Sequence, residues 1–136
     1  MASYTKFLSF VEYLAEKTFN LGSDTLKVAL TNSAPVNTNT VLANITEVSY
    51  TNCSTRTLTI SASAQSSGTY KLTIADLTLT ASGGTVGPFR YVVVYDDTAT
   101  NDELIAYFDY GSALTLQNGD ALLLDFDASA GLLTIV

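Results

Sequence analysis

Apolar residues first recur along this chain at the spacing of a helix and then, beyond Gly22, at the spacing of a strand. Phe7, Phe10, Val11, Leu14 and Thr18 fall at i, i+3, i+4, i+7 and i+11, which is one stripe of an amphipathic helix. Glu12, Glu16 and Lys17 lie mostly off that stripe, Ser3 stands where a cap belongs, and Asn20 and Gly22 supply a stop. The spacing predicts an N-terminal helix over about residues 4–20, packed on the sheet that follows or docked on another subunit.

From Thr25 to Thr31 the period is two, with Leu26, Val28 and Leu30 inward and Thr25, Lys27 and Ala29 outward, the signature of a half-buried strand. Asn32–Thr40 is a polar loop around Pro35, and Val41–Tyr50 reads as irregular with a short helical turn. Alternation returns over Arg56–Ala62, with Leu58 and Ile60 inward, and over Tyr70, Leu72 and Ile74 after a Ser66-Ser67-Gly68 turn. Asp76 marks a bend before Leu77 and Leu79. The stretch Arg90–Tyr95 is apolar on both faces and belongs in the middle of a sheet. A polar loop Asp96–Asp102 precedes a strand Leu104–Phe108, which Gly111 is expected to end. Asn118-Gly119-Asp120 predicts a hairpin joining Leu114–Leu116 to Ala121–Phe126. Ser129-Ala130-Gly131 turns into a last strand, Leu132–Val136, expected to be paired because a loose apolar edge invites aggregation. Roughly seven to nine short strands after one helix predict a mainly β fold, a β-sandwich or compact jelly-roll-like barrel, as a single domain over 1–136.

Composition narrows what such a fold can do. Charged residues make up 14% of the chain, against about 25% in an ordinary soluble domain, so part of the surface is expected to lie under a partner. Six cations face thirteen anions, for a net charge of −7. Residues 91–136 hold eight of those anions and no cation. Such a chain repels phosphate backbones, which disfavours nucleic acid. No apolar run approaches the roughly 20 residues of a bilayer crossing, and the N-terminus lacks a leader pattern, so the chain is expected to stay soluble in the cytoplasm where it is made.

Histidine is absent and Cys53 is the one cysteine. That removes the Ser-His-Asp and Cys-His nucleophilic arrangements and the ligand sets of zinc, and no cofactor or metal is expected. Carboxylates remain: Asp96, Asp97, Asp102 and Glu103 around one loop, and Asp125 with Asp127 on one strand face, with Leu124 and Phe126 inward. A solvated acidic face, a calcium site and a glycosidase pair are the three readings of these acids. The segment ASGGTVGP, residues 81–88, is glycine-rich but leads into a strand, not a helix, so its glycines serve turns and not a phosphate. Tyr91, Tyr95, Phe108 and Phe126 read as core. Tyr50, Tyr107 and Tyr110 are candidate interface anchors, since tyrosine joins a large apolar area to a polar tip.

The segments SYTKFLSFVEYLAEKTFNLGSDTLKVALTNSAP, SSGTYKLTIADLTLTASGGTVGPFRYVVVYDDT, AYFDYGSALTLQNGD and DFDASAGLLTIV together resemble a family of small tailed-bacteriophage virion proteins. The block ASGGTVGPFRYVVVYDDT is the most specific of them. The resemblance implies a structural protein without catalytic residues, of the capsid cement or decoration type, on the outer surface of the head. Its partners would be the major capsid protein and copies of itself, as a dimer or trimer, with no nucleic acid and no membrane. The alternative is a tail, neck or receptor-binding adhesion component of the virion, and a carbohydrate-binding module is a third reading that the absence of tryptophan disfavours. Phe7, Phe10 and Leu14 on the helix, Pro35 and Asn37 in the loop, and Tyr50 and Tyr110 are the expected interface residues. Deleting loop 32–40 is expected to weaken capsid binding and leave the fold intact.

Overall fold

The computed structural model describes residues 2–136. Nine strands and one short α-helix are present among them: β1 Ser3–Lys6, α1 Phe10–Ala15, β2 Leu26–Thr31, β3 Ile60–Ser66, β4 Thr69–Ile74, β5 Leu77–Thr80, β6 Val86–Asp96, β7 Leu104–Leu116, β8 Ala121–Leu124 and β9 Leu133–Ile135. They form three antiparallel sheets, in the orders β1-β7-β6-β2, β3-β4-β9 and β5-β8. The sheets have open edges, and no closed barrel forms.

The apolar run in β6 occupies the centre of the largest sheet, paired with β2 on one side (Val28 against Val94) and β7 on the other (Val93 against Tyr107). Period-two geometry sends its residues alternately to two cores. Val92 and Val94 join Leu26, Val28 and Leu30 of β2 with Leu72 and Ile74 of β4 and Leu79 of β5 in the larger core. Val93 and Tyr95 point the other way, into a smaller core with Phe7, Ala29, Ile45 and Leu104. The outward face predicted for β2 is therefore wrong in part: Ala29 and Thr31 are fully buried. Phe7 and Ile45, from flanking segments, cover that face. The far edge of β2 is also occupied, since the Val28 amide donates to the Arg56 carbonyl (3.0 Å) and the Leu58 amide to that of Leu26 (2.9 Å).

The N-terminus departs most from its periodicity. Residues 3–6 form an edge strand, Tyr4 opposite Phe108 and Lys6 opposite Ala106, and the helix is confined to Phe10–Ala15. Ser9, not Ser3, occupies the N-cap, and its side chain makes no cap hydrogen bond. At the far end Lys17 adopts a left-handed φ of 68°, and the Thr18 amide turns back to the Tyr13 carbonyl (2.8 Å). That reversal brings Phe19 against Phe10, ring centroids 5.6 Å apart. A continuous helix would carry Phe19 away from that contact, so packing overrides the weak local preference. Val11, on the supposed stripe, is 55% exposed.

Two more expectations are corrected in the C-terminal third. Gly111 does not end the strand: β7 runs on to Leu116, with the Asp109 carboxylate accepting the Gly111 amide (2.8 Å) at the irregularity. The Asn118-Gly119 turn does not close a hairpin. Its amides and carbonyls are held by the loop after β5, Gly119 donating to the Ala81 carbonyl (2.8 Å) and Ala81 to that of Asp120 (3.1 Å). β8 consequently leaves β7 and pairs with β5, Leu79 opposite Leu122. The turn is a corner between sheets. By contrast, Ser67 and Gly68, both with positive φ, do join β3 to β4 as a tight hairpin, and β9 pairs with β4 as expected of an apolar strand.

Gly87 has φ +116°, and a methyl group there would stand 2.7 Å from the Leu114 carbonyl oxygen. Both faults act together, so Gly87→Ala is expected to cost about 2–3 kcal/mol. Urea unfolding of the two chains measures it; a change below about 0.5 kcal/mol would show that β6 and β7 are not so closely apposed there.

Candidate functional surfaces

The acidic loop between β6 and β7 is built inward. Asp96 is fully buried, and its Oδ1 accepts the amides of Thr98 (2.9 Å) and Ala99 (3.2 Å), which sets the turn. Glu103 is buried as well and accepts the amide (3.1 Å) and side-chain Nδ2 (3.3 Å) of Asn101. Asp97 pairs with Lys27 at 3.2 Å. Asp96 Oδ2 is enclosed and accepts no hydrogen bond. Burial, then the hydrogen-bonded Asp24 carboxyl and its charge, push Asp96 up to about 7. Below that pH a protonated Asp96 avoids what would otherwise be a bare buried charge beside Asp24. These four acids shape a loop, and only Asp97 and Asp102 retain contact with solvent.

Asp125 and Asp127 do not act as a pair either. Strand β8 ends at Leu124, and Asp127 Oδ1 accepts the Ser129 amide (2.8 Å), the Ser129 hydroxyl (2.7 Å) and the Ala130 amide (3.1 Å). These bonds hold its carboxyl below the usual range and form the turn into β9. Asp125 is exposed and carries no hydrogen bond or ion pair among the described residues. Phe126 is buried as expected, and its amide donates to Asp76 Oδ1 (2.8 Å), so Asp76 ties β8 to the β4–β5 bend. Among the described residues no group of three or more acids or cysteines is placed to hold a metal ion.

The glycine-rich loop serves geometry. The Gly83 amide donates to Asn118 Oδ1 (2.9 Å), and a methyl group on Gly84 would lie 2.5 Å from Asn52 Nδ2. Burial pushes the Cys53 thiol up, against the opposing pull of Arg56, so it stays protonated.

The expected interface residues separate into two kinds. Phe7, Phe10 and Pro35 are buried and serve the interior. Tyr50 is half-buried and committed: its hydroxyl donates to Glu47 (2.7 Å) and accepts the Leu30 amide (3.0 Å), while the Arg56 guanidinium lies 3.6 Å from its ring centroid. Tyr107 is half-buried against Phe7. Leu14 is half-buried at the surface, and Asn37 and Tyr110 are exposed. Loop 32–40 is not a removable appendage, because the Asn37 carbonyl accepts the Leu8 amide (2.9 Å), that of Thr40 accepts the Leu104 amide (3.0 Å), and Pro35 is buried. Its deletion would damage the fold.

Sequence reasoning missed where the exposed apolar side chains gather. Among the described residues, apart from Val136, seven large ones are exposed: Tyr4, Leu8, Val11, Val36, Tyr110, Leu123 and Ile135. Leu8 and Val36 are brought together by the Leu8–Asn37 backbone bond. The other five line two shallow grooves that meet at Tyr4 and Leu132, the larger enclosing about 880 Å³. Among the described residues, the charged groups that line the larger, otherwise apolar groove are Asp125 and Asp127. No signal in the local sequence marks this strip, since its members come from β1, α1, β7, β8 and β9.

Scans against protein-family models and searches of curated proteins and solved structures return no match for this chain.

Proposed function

We propose that the chain is a β-sandwich structural subunit of a tailed-phage virion, acting as a cement or decoration protein on the outside of the head. In this reading the four-stranded sheet forms one layer and the β3-β4-β9 and β5-β8 sheets form the other, sharing the larger core. The protein performs no chemistry. It adds contact area between major capsid subunits and stabilises the shell by binding only its assembled form.

The observation that carries the reading is an apolar surface that the fold itself does not use. Val36 is 56% and Leu8 53% exposed. The loop carrying Val36 is fixed: its amide donates to Asn39 Oδ1 (2.9 Å) and its carbonyl accepts the Asn39 amide (2.8 Å). A rigid apolar tip binds with little ordering cost, as a docking element requires. Few charged residues and a resemblance to virion proteins over most of the chain support the same assignment.

The test is rebinding of the purified chain to heads stripped of it. Val36→Asp is expected to weaken binding by about a hundredfold while leaving the melting temperature unchanged, because the side chain is exposed. Unchanged binding would remove this loop from the contact. Failure of the parent chain to bind heads at all would end the cement assignment.

A further inference from the structure

We propose that Asp24 and Asp96 hold a calcium ion between them, in a site that ties the segment before β2 to the β6–β7 loop. The site uses none of the residues assigned to the capsid contact, so it stands or falls separately from that reading.

Strand register brings the two acids together. Leu26 of β2 stands opposite Asp96 of β6. Beyond that pair the two segments stay joined, because the Asp97 amide donates to the Thr25 carbonyl (2.9 Å) and the Thr25 amide to Thr98 Oγ1 (2.8 Å). Asp24 is thereby set beside Asp96, and the Asn20 amide fixes its carboxylate by donating to Oδ2 (2.8 Å). Asp96 is fully buried, with Oδ1 taken by the Thr98 and Ala99 amides and Oδ2 enclosed without a partner. That orphaned oxygen is what calls for a ligand, since buried polar atoms are nearly always satisfied. The protein's own cations are spent elsewhere: among the described residues the ion pairs are Lys27 with Asp97 and Arg90 with Asp109. Glu103, the other buried acid of the loop, is held by Asn101.

Two remedies suit such a pair, a proton or a cation. Burial and the neighbouring Asp24 push Asp96 up to about 7, so below that pH a proton serves. Above it the proton is gone, and one divalent ion supplies two positive charges for two carboxylates. The chain offers no histidine, but a hard cation needs only oxygen. Asp96 Oδ2 is enclosed, so the ion must meet it directly and shed part of its own hydration. Calcium does this readily and accepts irregular geometry, whereas magnesium keeps its waters in a strict octahedron. Asp24 is half-buried, so the ion enters from its side and water completes the shell there. With two acids and, among the described residues, no third, the site is weak, with a dissociation constant on the order of 0.1–1 mM.

Melting curves of the whole chain at about pH 8, in a chelator or in about 10 mM calcium chloride, test this. Calcium is expected to raise the midpoint by about 5–10 °C. Asp24→Asn and Asp96→Asn should each remove that rise, while Asp125→Asn, at an exposed acid outside the site, should keep it. Asp96→Asn needs no ion to fold, because its amide stands in for the neutral acid, so the lost response is read on a folded chain. Calorimetric titration with calcium adds a readout that stability alone does not move. At about pH 6.5 each ion should displace most of one proton and at about pH 8.5 almost none, and the affinity should be about tenfold weaker at pH 6 than at pH 8. A midpoint indifferent to calcium overturns the proposal and leaves the pair to a proton alone. So does a rise of equal size in Asp96→Asn, which is the general response of a chain of net charge −7 to a divalent salt. Binding without proton release at about pH 6.5 overturns it as well.

Discussion

Asp96→Asn is expected to stabilise the protein by up to about 4 kcal/mol at neutral and higher pH and to do almost nothing near pH 4. In the unfolded chain this carboxyl ionises near 3.8, and in the folded chain only at about 7. Between those values the folded chain binds more protons than the unfolded one. Stability therefore falls as pH rises from about 4 to about 7, then levels off. Asparagine reproduces the neutral acid: its Oδ1 can keep the Thr98 and Ala99 amides, and its Nδ2 can donate to Asp24. The surroundings of the pair are defined, since the Thr25 amide donates to Thr98 Oγ1 (2.8 Å), that of Asp97 donates to the Thr25 carbonyl (2.9 Å), and Lys27 is drawn to Asp97. Urea midpoints of both chains between pH 4 and pH 9 measure the effect, with about 4 kcal/mol as its upper end. Parallel profiles for the two chains would show that Asp96 is ionised throughout.

Phe7→Ala should cost about 3–5 kcal/mol, whereas Val11→Ser should change stability by less than about 0.5 kcal/mol. Phe7 is fully enclosed by Ala29, Ile45, Val93, Tyr95 and Leu104, and its ring lies 5.3 Å from that of Tyr107. Its removal opens the layer that keeps the second face of β2 and β6 dry. Val11 touches no core, although the helical stripe would rank it beside Phe10. Equal losses at the two positions, measured by denaturant unfolding, would restore the long amphipathic helix and contradict the strand at Ser3–Lys6.

Side-chain periodicity is written locally in the chain, whereas strand pairing and burial are decided by distant residues. Alternation read the inward faces of β2, β4 and β5 correctly, because side-chain period is a local property and Leu26, Leu72, Ile74 and Leu79 obey it, and the unbroken apolar run of β6 marked the middle of its sheet. The hairpin at Ser67-Gly68 was legible for the same reason. Pairing is not local. Asn118-Gly119 has hairpin chemistry, but whether β8 folds back on β7 depends on Ala81, far away in the chain, which captures the turn. The first twenty residues misled because Phe7 and Phe10, three apart, feed different cores, a strand-end residue and a helix residue imitating one stripe. The acids from Asp96 to Glu103 were legible as a loop but their burial was not, and Asp127, expected on a strand face, instead forms the turn into β9. Nothing near Asp96 in sequence announces that Asp24 will face it. The exposed strip was invisible for a similar reason, being assembled from five elements that only the topology of β1, β7, β8 and β9 brings side by side.

The central claim is that this chain coats a phage head. Counting its copies per purified particle, by quantitative mass spectrometry on whole virions and on tailless heads, tests it most directly. The account predicts copies on the order of hundreds per particle, retained when the tail is removed, as repetition over an icosahedral lattice requires. A count on the order of tens or fewer, or loss of the protein together with the tail, would contradict it.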